Sequence, residues 1–163
     1  MDTFEMVHPI AQAELAMDPP DPLPDRTAHQ LLDDLPSSAI DPLIAAAGPD
    51  SQLAMLQFRH MGGALARRPP EAGVRATLPG EVCTFALGIV PDETAAAAVR
   101  RALMTVEQIL ALNQVGLYPN FVEEPVDTSE FFDAMTLTSL RQIKAQYDPD
   151  DLFKGNHHLP SAV

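Results

Sequence analysis

The 163-residue sequence is poor in cysteine, in positive charge and in long apolar runs, and each shortage excludes a class of protein. Its single cysteine, Cys83, cannot form an internal disulfide or supply a cysteine-cluster metal site. Ten Lys and Arg against 23 Asp and Glu give a net charge of −13, which argues against binding to nucleic acid or to a membrane surface. No apolar run approaches the roughly 20 residues that span a bilayer. Without a secretory signal at its N-terminus, the chain is predicted to be cytoplasmic.

Motifs for nucleotide and metal sites are also lacking. Gly62-Gly63 does not complete a GxGxxG pattern or a P-loop. The acidic run at 148–151 fails the EF-hand pattern, because its sixth and twelfth positions are Phe153 and Leu159. We interpret this run as a solvated helix stop. His157-His158 has no companion ligands at a zinc spacing, so we expect no metal site.

Clustered prolines divide the chain into segments. Four of them lie within residues 18–25, which predicts an extended connector after a short helix at Ile10–Ala16. Breaker residues predict a loop over 65–79, and the tail after residue 151 is predicted to be irregular.

Hydrophobic periodicity predicts three helices after the connector. The first begins at Ser37-Ser38 and ends at Gly48-Pro49, the second covers 94–112 behind an Asp92 cap, and the third covers 137–147. The residues predicted to face the core are Ile40, Leu43, Ile44 and Ala47 in the first helix, Val99, Leu103, Val106 and Leu110 in the second, and Leu140, Ile143 and Tyr147 in the third.

Three extended segments complete the predicted elements. Residues 53–59 are mostly apolar, and residues 82–90 are nearly all apolar with β-branched and aromatic side chains, so both indicate strands. Cys83 is predicted to be a buried, inert thiol. Residues 117–122 indicate a short edge segment that is interrupted by Pro119. The fold class predicted is α+β, with a small antiparallel sheet, helices packed on one face and an irregular C-terminal tail. A sheet this small is marginal by itself, so we expect a partner or self-association.

Two polar segments are the candidate binding residues. Tyr118 and Asn120 lie two apart on a predicted extended segment, so both would face the same side. Asn156, His157 and His158 follow the last helix stop and carry hydrogen-bonding groups. The alternative is that Tyr118 anchors the core through its ring and Asn120 satisfies local backbone groups.

Several segments, in order, resemble one family of flavoproteins. The C-terminal tail resembles the signature KxxYDPxNLF, followed by Asn-x-Asn, of berberine-bridge-enzyme-like, FAD-linked oxidoreductases of the vanillyl-alcohol-oxidase type. The matching residues are Lys144, Tyr147-Asp148-Pro149, Leu152-Phe153 and Asn156. Asp151 and His158 stand where that family usually has asparagines. Residues 58–64 resemble its R-x-L-G-G-A strand end, Tyr118-Pro119-Asn120-Phe121 resembles its Y-x-N-[FY] segment, and residues 14–22 and 32–36 resemble its bacterial branch.

The resemblance implies the substrate-domain portion of an FAD-dependent oxidoreductase, in which a substrate gives a hydride to the flavin and a second acceptor reoxidises it. It also implies three regions: an N-terminal helix and connector (1–36), a substrate-domain core (37–135), and a C-terminal helix with an FAD-contact tail (136–163). Tyr118, Asn120, Asn156 and His158 would face the flavin or a small-molecule substrate.

Most of the FAD in this family is held by a separate domain, which these residues do not resemble. We therefore expect that the chain needs an FAD-binding domain in cis or in trans, and that alone it is inactive and does not retain FAD. The alternative function is a non-catalytic α+β module for binding or dimerisation.

Overall fold

The computed structural model of the chain describes residues 6–11 and 21–160. Of the predicted helix Ile10–Ala16, the described part is a short 3₁₀ turn at Pro9–Ala11, and residues 12–16 lie outside the described range. Residues 18–20 of the predicted connector also lie outside it.

The architecture is α+β, with one four-stranded antiparallel sheet, as the sequence predicted. The strands follow the order β2-β3-β1-β4. The elements are β1 (Asp25–Leu32), α1 (Ser37–Ala46), β2 (Met55–His60), β3 (Val82–Ile89), α2 (Glu93–Leu110), β4 (Gln114–Gly116) and α3 (Ala134–Tyr147). Short 3₁₀ turns at Pro119–Phe121 and Thr128–Glu130 connect the last strand to the last helix. Residues 148–160 form no helix or strand.

Strand β1 is the main element that sequence reasoning did not predict. It pairs with β3 over its whole length, from Asp25 opposite Ile89 to Leu32 opposite Val82. Its sequence DRTAHQLL is mostly polar, so it shows no apolar run, yet its last five residues are buried. The polar ones among them are satisfied across the sheet: the Gln30 side-chain amide, for example, donates to Gln114 Oε1 of β4 at 2.9 Å. Cross-strand partners, which local sequence does not contain, therefore make this segment a central strand.

Helix α2 covers one face of the sheet and agrees with the prediction. Asp92 caps it by accepting a hydrogen bond from the Ala95 amide at 2.8 Å. Its predicted core residues are all buried, namely Val99, Leu103, Val106 and Leu110. Gly88 permits the close approach of the helix to β3, because a Cβ built there would lie 2.5 Å from Val99 Cγ1 and 2.9 Å from the Gln52 carbonyl oxygen.

The buried face of α1 differs from the predicted one. Ala39 and Leu43 are buried, whereas Ile40 and Ile44 are exposed. The helix packs beside α2 through Ala39 and Leu43, and Ile40 and Ile44 lie on the side toward the edge strand β2. There they line an exposed apolar groove together with Met55 and Phe58.

Two predictions near the C-terminus also need correction. Helix α3 buries Leu137, while Ile143 and Tyr147, which were predicted to face the core, are 43% and 73% exposed. This helix packs against the Thr128–Glu130 turn. The segment 117–122, predicted to be extended, contains a 3₁₀ turn, and the paired edge strand lies just before it, at Gln114–Gly116.

Candidate functional site

The candidate site is built on the face of the sheet that α2 does not cover. Side chains alternate along each strand, so those next to Ala28 and Ala86, which pack on α2, point to the other face. His29 of β1 and Phe85 of β3 are register partners there. The Tyr118–Phe121 segment packs over this pair.

His29 joins that segment to the sheet, because each of its two ring nitrogens makes one hydrogen bond. The Tyr118 amide donates to Nε2 at 2.5 Å, so Nε2 is unprotonated and Nδ1–H donates to the Thr84 carbonyl at 3.1 Å. The ring is therefore neutral in the folded protein. Burial lowers the pKa of His29, with the bond to Thr84 opposing the shift.

Phe121 is the centre of the cluster above the sheet. Its ring centroid lies 5.5 Å from that of His29, 5.1 Å from that of Phe85 and 5.3 Å from that of Tyr118. The Arg59 guanidinium carbon lies 5.0 Å from the same centroid, in cation–π range. The cluster orders the Tyr118–Phe121 turn and leaves Asn120 exposed at its tip.

After α3 the chain folds back, and the turn is held by Lys144, Asp148 and Asp151, which we call the clamp. Asp148 is buried, at 7% exposure, and accepts hydrogen bonds from the Leu152 amide at 2.7 Å and the Phe153 amide at 3.1 Å. Lys144, one turn earlier, pairs with Asp148 and donates to the Phe153 carbonyl at 2.9 Å. The interpretation of 148–151 as a solvated helix stop is therefore wrong for Asp148. Its bond to Lys144, more than its bonds to the two amides, lowers the pKa of Asp148.

Asp151 is the turning point of the clamp. It has a φ of 53°, in the left-handed region that asparagine and aspartate tolerate best among non-glycine residues. Lys144 Nζ lies 2.8 Å from Asp151 Oδ1, and Lys154 pairs with the other oxygen. Lys144 and then Lys154 lower the pKa of Asp151 to about 2, and His158 adds to the shift.

A single hydrogen bond joins the tail to the turn above the sheet. His157 Nε2 donates to the Val122 carbonyl at 2.9 Å, and Val122 directly follows Phe121. The His157 ring also packs on Phe131, with centroids 4.5 Å apart. The two segments that carry the predicted site residues are thus in contact, through His157 of the candidate tail segment and the backbone of Val122.

The four predicted cofactor-binding residues have different surroundings. Tyr118 is half-buried, with its ring on Phe121, so the alternative of a core anchor describes part of its role. Asn120 and Asn156 are exposed, and neither side chain hydrogen-bonds to another described residue. His158 Nε2 lies 3.5 Å from Asp151 Oδ2, which orients its ring toward the clamp. Their role in binding FAD stays a prediction.

A cavity of about 500 Å³ opens beside this site. It lies between the 68–79 loop and the start of α3. Arg75 lines it, with its guanidinium carbon 5.0 Å from the ring centroid of Phe132. Phe131, whose ring packs against that of His157, lines the cavity as well.

Sequence reasoning missed His29 and Arg75, and it placed His157 in a candidate segment without assigning it to the flavin-facing residues. His29 and Arg75 are isolated in sequence, and their partners Tyr118 and Phe132 are distant along the chain. Local sequence gives little signal for His29, because DRTAHQLL is free of proline and glycine but shows no apolar–polar alternation. Cys83 is buried as predicted, and burial raises the pKa of its thiol.

Two kinds of feature are absent from the described residues. In residues 6–11 and 21–160, no group of three or more His, Cys, Asp or Glu side chains is arranged to hold a metal ion. Within the same ranges, no helix has the length and apolar character needed to cross a bilayer.

Comparison with known proteins was informative at the level of structure. No family model and no curated protein sequence matches the chain. Among solved structures, berberine bridge enzyme from Eschscholzia californica matches with a TM-score of 0.71 and 13% identity, over 94% of this chain and 36% of that one. A variant of berberine bridge enzyme matches with a TM-score of 0.68 and 13% identity, over 85% of this chain and 33% of that one. A chitooligosaccharide oxidase matches with a TM-score of 0.66 and 15% identity, over 85% of this chain and 33% of that one.

These matches confirm the resemblance at the level of fold. The chain has the fold of about one third of berberine bridge enzyme and of chitooligosaccharide oxidase, and it spans only that share of their length.

Proposed function

We propose that this chain is the substrate-domain portion of an FAD-dependent oxidoreductase and that it acts together with an FAD-binding domain, in cis or in trans. The observation that carries the proposal is the match to berberine bridge enzyme over 94% of the chain. Support also comes from the tail motif, whose residues Lys144 and Asp148 form the clamp that brings the tail back to the Tyr118–Phe121 turn.

The residues of this chain fit the edge of a flavin ring better than its phosphates. Asn120 and Asn156 offer exposed amides without partners among the described residues, and Tyr118 and His158 offer a hydroxyl and an imidazole. These four groups would hold the ring by hydrogen bonds. No glycine-rich phosphate loop is present in the sequence, so the pyrophosphate would be held by the other domain. When bound, the flavin supplies the capacity to accept a hydride from substrate.

The chain's own contribution is to position hydrogen-bonding groups. The bond from the Tyr118 amide to His29 fixes the turn, and the bond from His157 to Val122 fixes the tail against it. Asn120 and Asn156 are thereby presented from two segments that are each anchored to folded structure, as a preorganised site requires.

The test is reconstitution. The chain is produced alone, and again with the coding sequence that flanks it or with a neighbouring reading frame that encodes a flavin-binding domain. We expect stoichiometric flavin absorbance only in the combined product, and reduction of that flavin by substrate in a screen of alcohols, sugars and amines. Stoichiometric flavin on the isolated chain would contradict the proposal that a second domain holds the FAD. A combined product that never binds flavin would refute the proposed function.

Site residues are tested in the combined product. Asn120→Ala and Asn156→Ala should each raise the dissociation constant for FAD or change the flavin spectrum. Asn113→Ala is the matched control, because Asn113 is an asparagine whose amide pairs with Asp33 instead. Equal effects of all three substitutions would argue against the assignment.

The second candidate is a non-catalytic binding or dimerisation module, and one observation favours it. The exposed apolar groove between α1 and the edge strand β2 presents Ile40, Ile44, Met55 and Phe58 to solvent. A chain that never combines with a flavin domain but forms a stable dimer through this groove would establish this alternative.

A further inference from the structure

Arg75 is a half-buried cation whose surroundings do not neutralise it. No carboxylate of the described residues lies within 4.0 Å of its guanidinium, and no described residue hydrogen-bonds to it. The guanidinium rests on the Phe132 ring, a contact that stabilises a cation but leaves its N–H donors unused. Burial is the largest influence on the pKa of Arg75 and lowers it, and the negative charge of Asp133 offsets this in part.

Asp133, the carboxylate whose charge acts on Arg75, accepts its hydrogen bonds from other groups. Asp133 caps α3: its Oδ1 accepts from the Thr136 amide at 2.9 Å, and its Oδ2 accepts from the Thr136 hydroxyl at 2.8 Å. Glu130, the other acid at the cavity, is exposed, and Arg68 adds a second positive charge on the lining. The donors of Arg75 are therefore open to an anion that enters the cavity.

The cavity has the size and surroundings of a small-molecule site. Its volume of about 500 Å³ is far larger than one carboxylate side chain and lies within the range of ligand pockets. Phe131 and Phe132 provide apolar walls. The Phe131 ring packs against the His157 ring, so the cavity adjoins the tail described above.

We propose that this cavity is the substrate pocket for a small molecule that carries a carboxylate, and that Arg75 binds the carboxylate through its paired N–H donors while Phe132 supports the guanidinium from below. That the ligand is a substrate rests on the proposed function. That the cavity binds a carboxylate does not, and it can be tested on the 163-residue chain alone. It goes beyond the fold comparison, which says nothing about the charge of the ligand.

The experiment uses sodium benzoate as the probe and benzamide as its neutral isostere. The ¹⁵N-labelled chain is titrated with each, and the Arg75 Nε–Hε resonance is followed together with the backbone amides of residues 129–133. We expect a saturable shift with benzoate and none with benzamide. Benzamide binding as tightly as benzoate, or no saturable shift with benzoate, would overturn the proposal.

Substitutions assign the binding to Arg75. Arg75→Gln should weaken benzoate binding by roughly tenfold or more, because a charge-assisted hydrogen-bond pair is lost. Arg75→Lys keeps the charge and the stem, and should fall between Arg75→Gln and the unchanged chain; it serves as the second variant should Arg75→Gln fail to fold. Arg67→Gln, at an exposed arginine that does not line the cavity, is the matched control and should bind as the unchanged chain does. Equal losses in Arg67→Gln and Arg75→Gln would overturn the assignment.

The outcome is independent of the flavin experiment. If benzoate binds as expected while the combined product never binds flavin, the carboxylate-binding pocket is supported and the oxidoreductase proposal is refuted. If flavin is bound and reduced while benzoate leaves Arg75 unmoved, only the carboxylate specificity is wrong.

Discussion

His29 is 5% exposed in the central strand, and both of its ring nitrogens are engaged. The Tyr118 amide requires an unprotonated Nε2, so a proton there would place two donors face to face. The protonation state of His29 is therefore linked to the position of the Tyr118–Phe121 turn.

Replacing His29 by leucine removes both hydrogen bonds at nearly constant volume. We expect a loss of about 1–3 kcal/mol in unfolding free energy at pH 7, since the Tyr118 amide and the Thr84 carbonyl lose a partner. Urea denaturation measures this, and the Tyr118 amide resonance should move upfield. His60→Leu, at an exposed histidine, is the control and should change stability by less than about 0.5 kcal/mol.

The same pair of variants tests the pH dependence. The pKa of His29 is lowered in the folded state, so between that pKa and about 6.5 the unfolded chain binds more protons. Unfolding free energy should therefore fall as the pH drops below about 6.5 and stop falling below the folded-state pKa. This part of the slope should vanish in His29→Leu and persist in His60→Leu. An unchanged slope in His29→Leu would show that another group titrates.

The second prediction of pH-dependent stability concerns Asp151 and a more acidic pH range. Its pKa is lowered to about 2 from an ordinary 3.8, so its contribution to stability is complete above 3.8 and is lost as the pH falls toward 2. Asp151→Asn tolerates the left-handed backbone but cannot form the charged pairs, so this loss should be absent in the variant. Asp150→Asn, at the exposed neighbour, should retain it. Thermal unfolding between about pH 5 and pH 2 separates the two outcomes.

At the scale of elements, the contact between α2 and β3 depends on a residue with no side chain. Gly88 lies beneath Val99, and both a methyl group and a backbone carbonyl occupy the space that a Cβ would need. Valine has few rotamers in a helix, so it cannot easily turn away. The helix or the strand would have to shift.

We expect Gly88→Ala to destabilise the chain by about 1–3 kcal/mol through overpacking. Gly73→Ala is the matched control, because a Cβ at Gly73 meets nothing within 4 Å and its backbone is not in the left-handed region. It should be neutral within about 0.5 kcal/mol. Urea denaturation of the two variants gives the comparison, and a neutral Gly88→Ala would show that α2 has room to move.

At the scale of the whole molecule, the groove between α1 and β2 exposes apolar side chains to solvent. Apolar side chains that meet water at a sheet edge favour association. The net charge of −13 opposes contact between two copies, and salt screens that repulsion.

We therefore expect the isolated chain to self-associate weakly, and more strongly as ionic strength rises. Sedimentation velocity should give a mass that increases from 17.6 kDa with concentration and salt. Ile44→Lys, in the groove, should abolish the increase. Met104→Lys, at an exposed apolar residue of α2 outside the groove, should leave it unchanged. A strictly monomeric chain at high salt would contradict this expectation.

The sequence by itself determined much of this protein. The fold class, the bounds of α2 with its Asp92 cap, and the buried strand around Cys83 follow from periodicity and breaker residues, which are local properties. The family resemblance also came from short motifs in order, and the fold match agrees with it. The wrong faces of α1 and α3 show the limit of periodicity, since an apolar stripe does not reveal whether anything packs on it.

Only the tertiary structure decided the centre of the sheet and the contacts of the site. Strand β1 is polar in sequence and becomes buried because β3 and β4 pair with it from both sides. His29 meets Tyr118 across 89 residues, and His157 meets Val122 across 35. A buried polar group is stable only with a partner, and the identity of that partner depends on how distant segments are brought together, which no local pattern encodes.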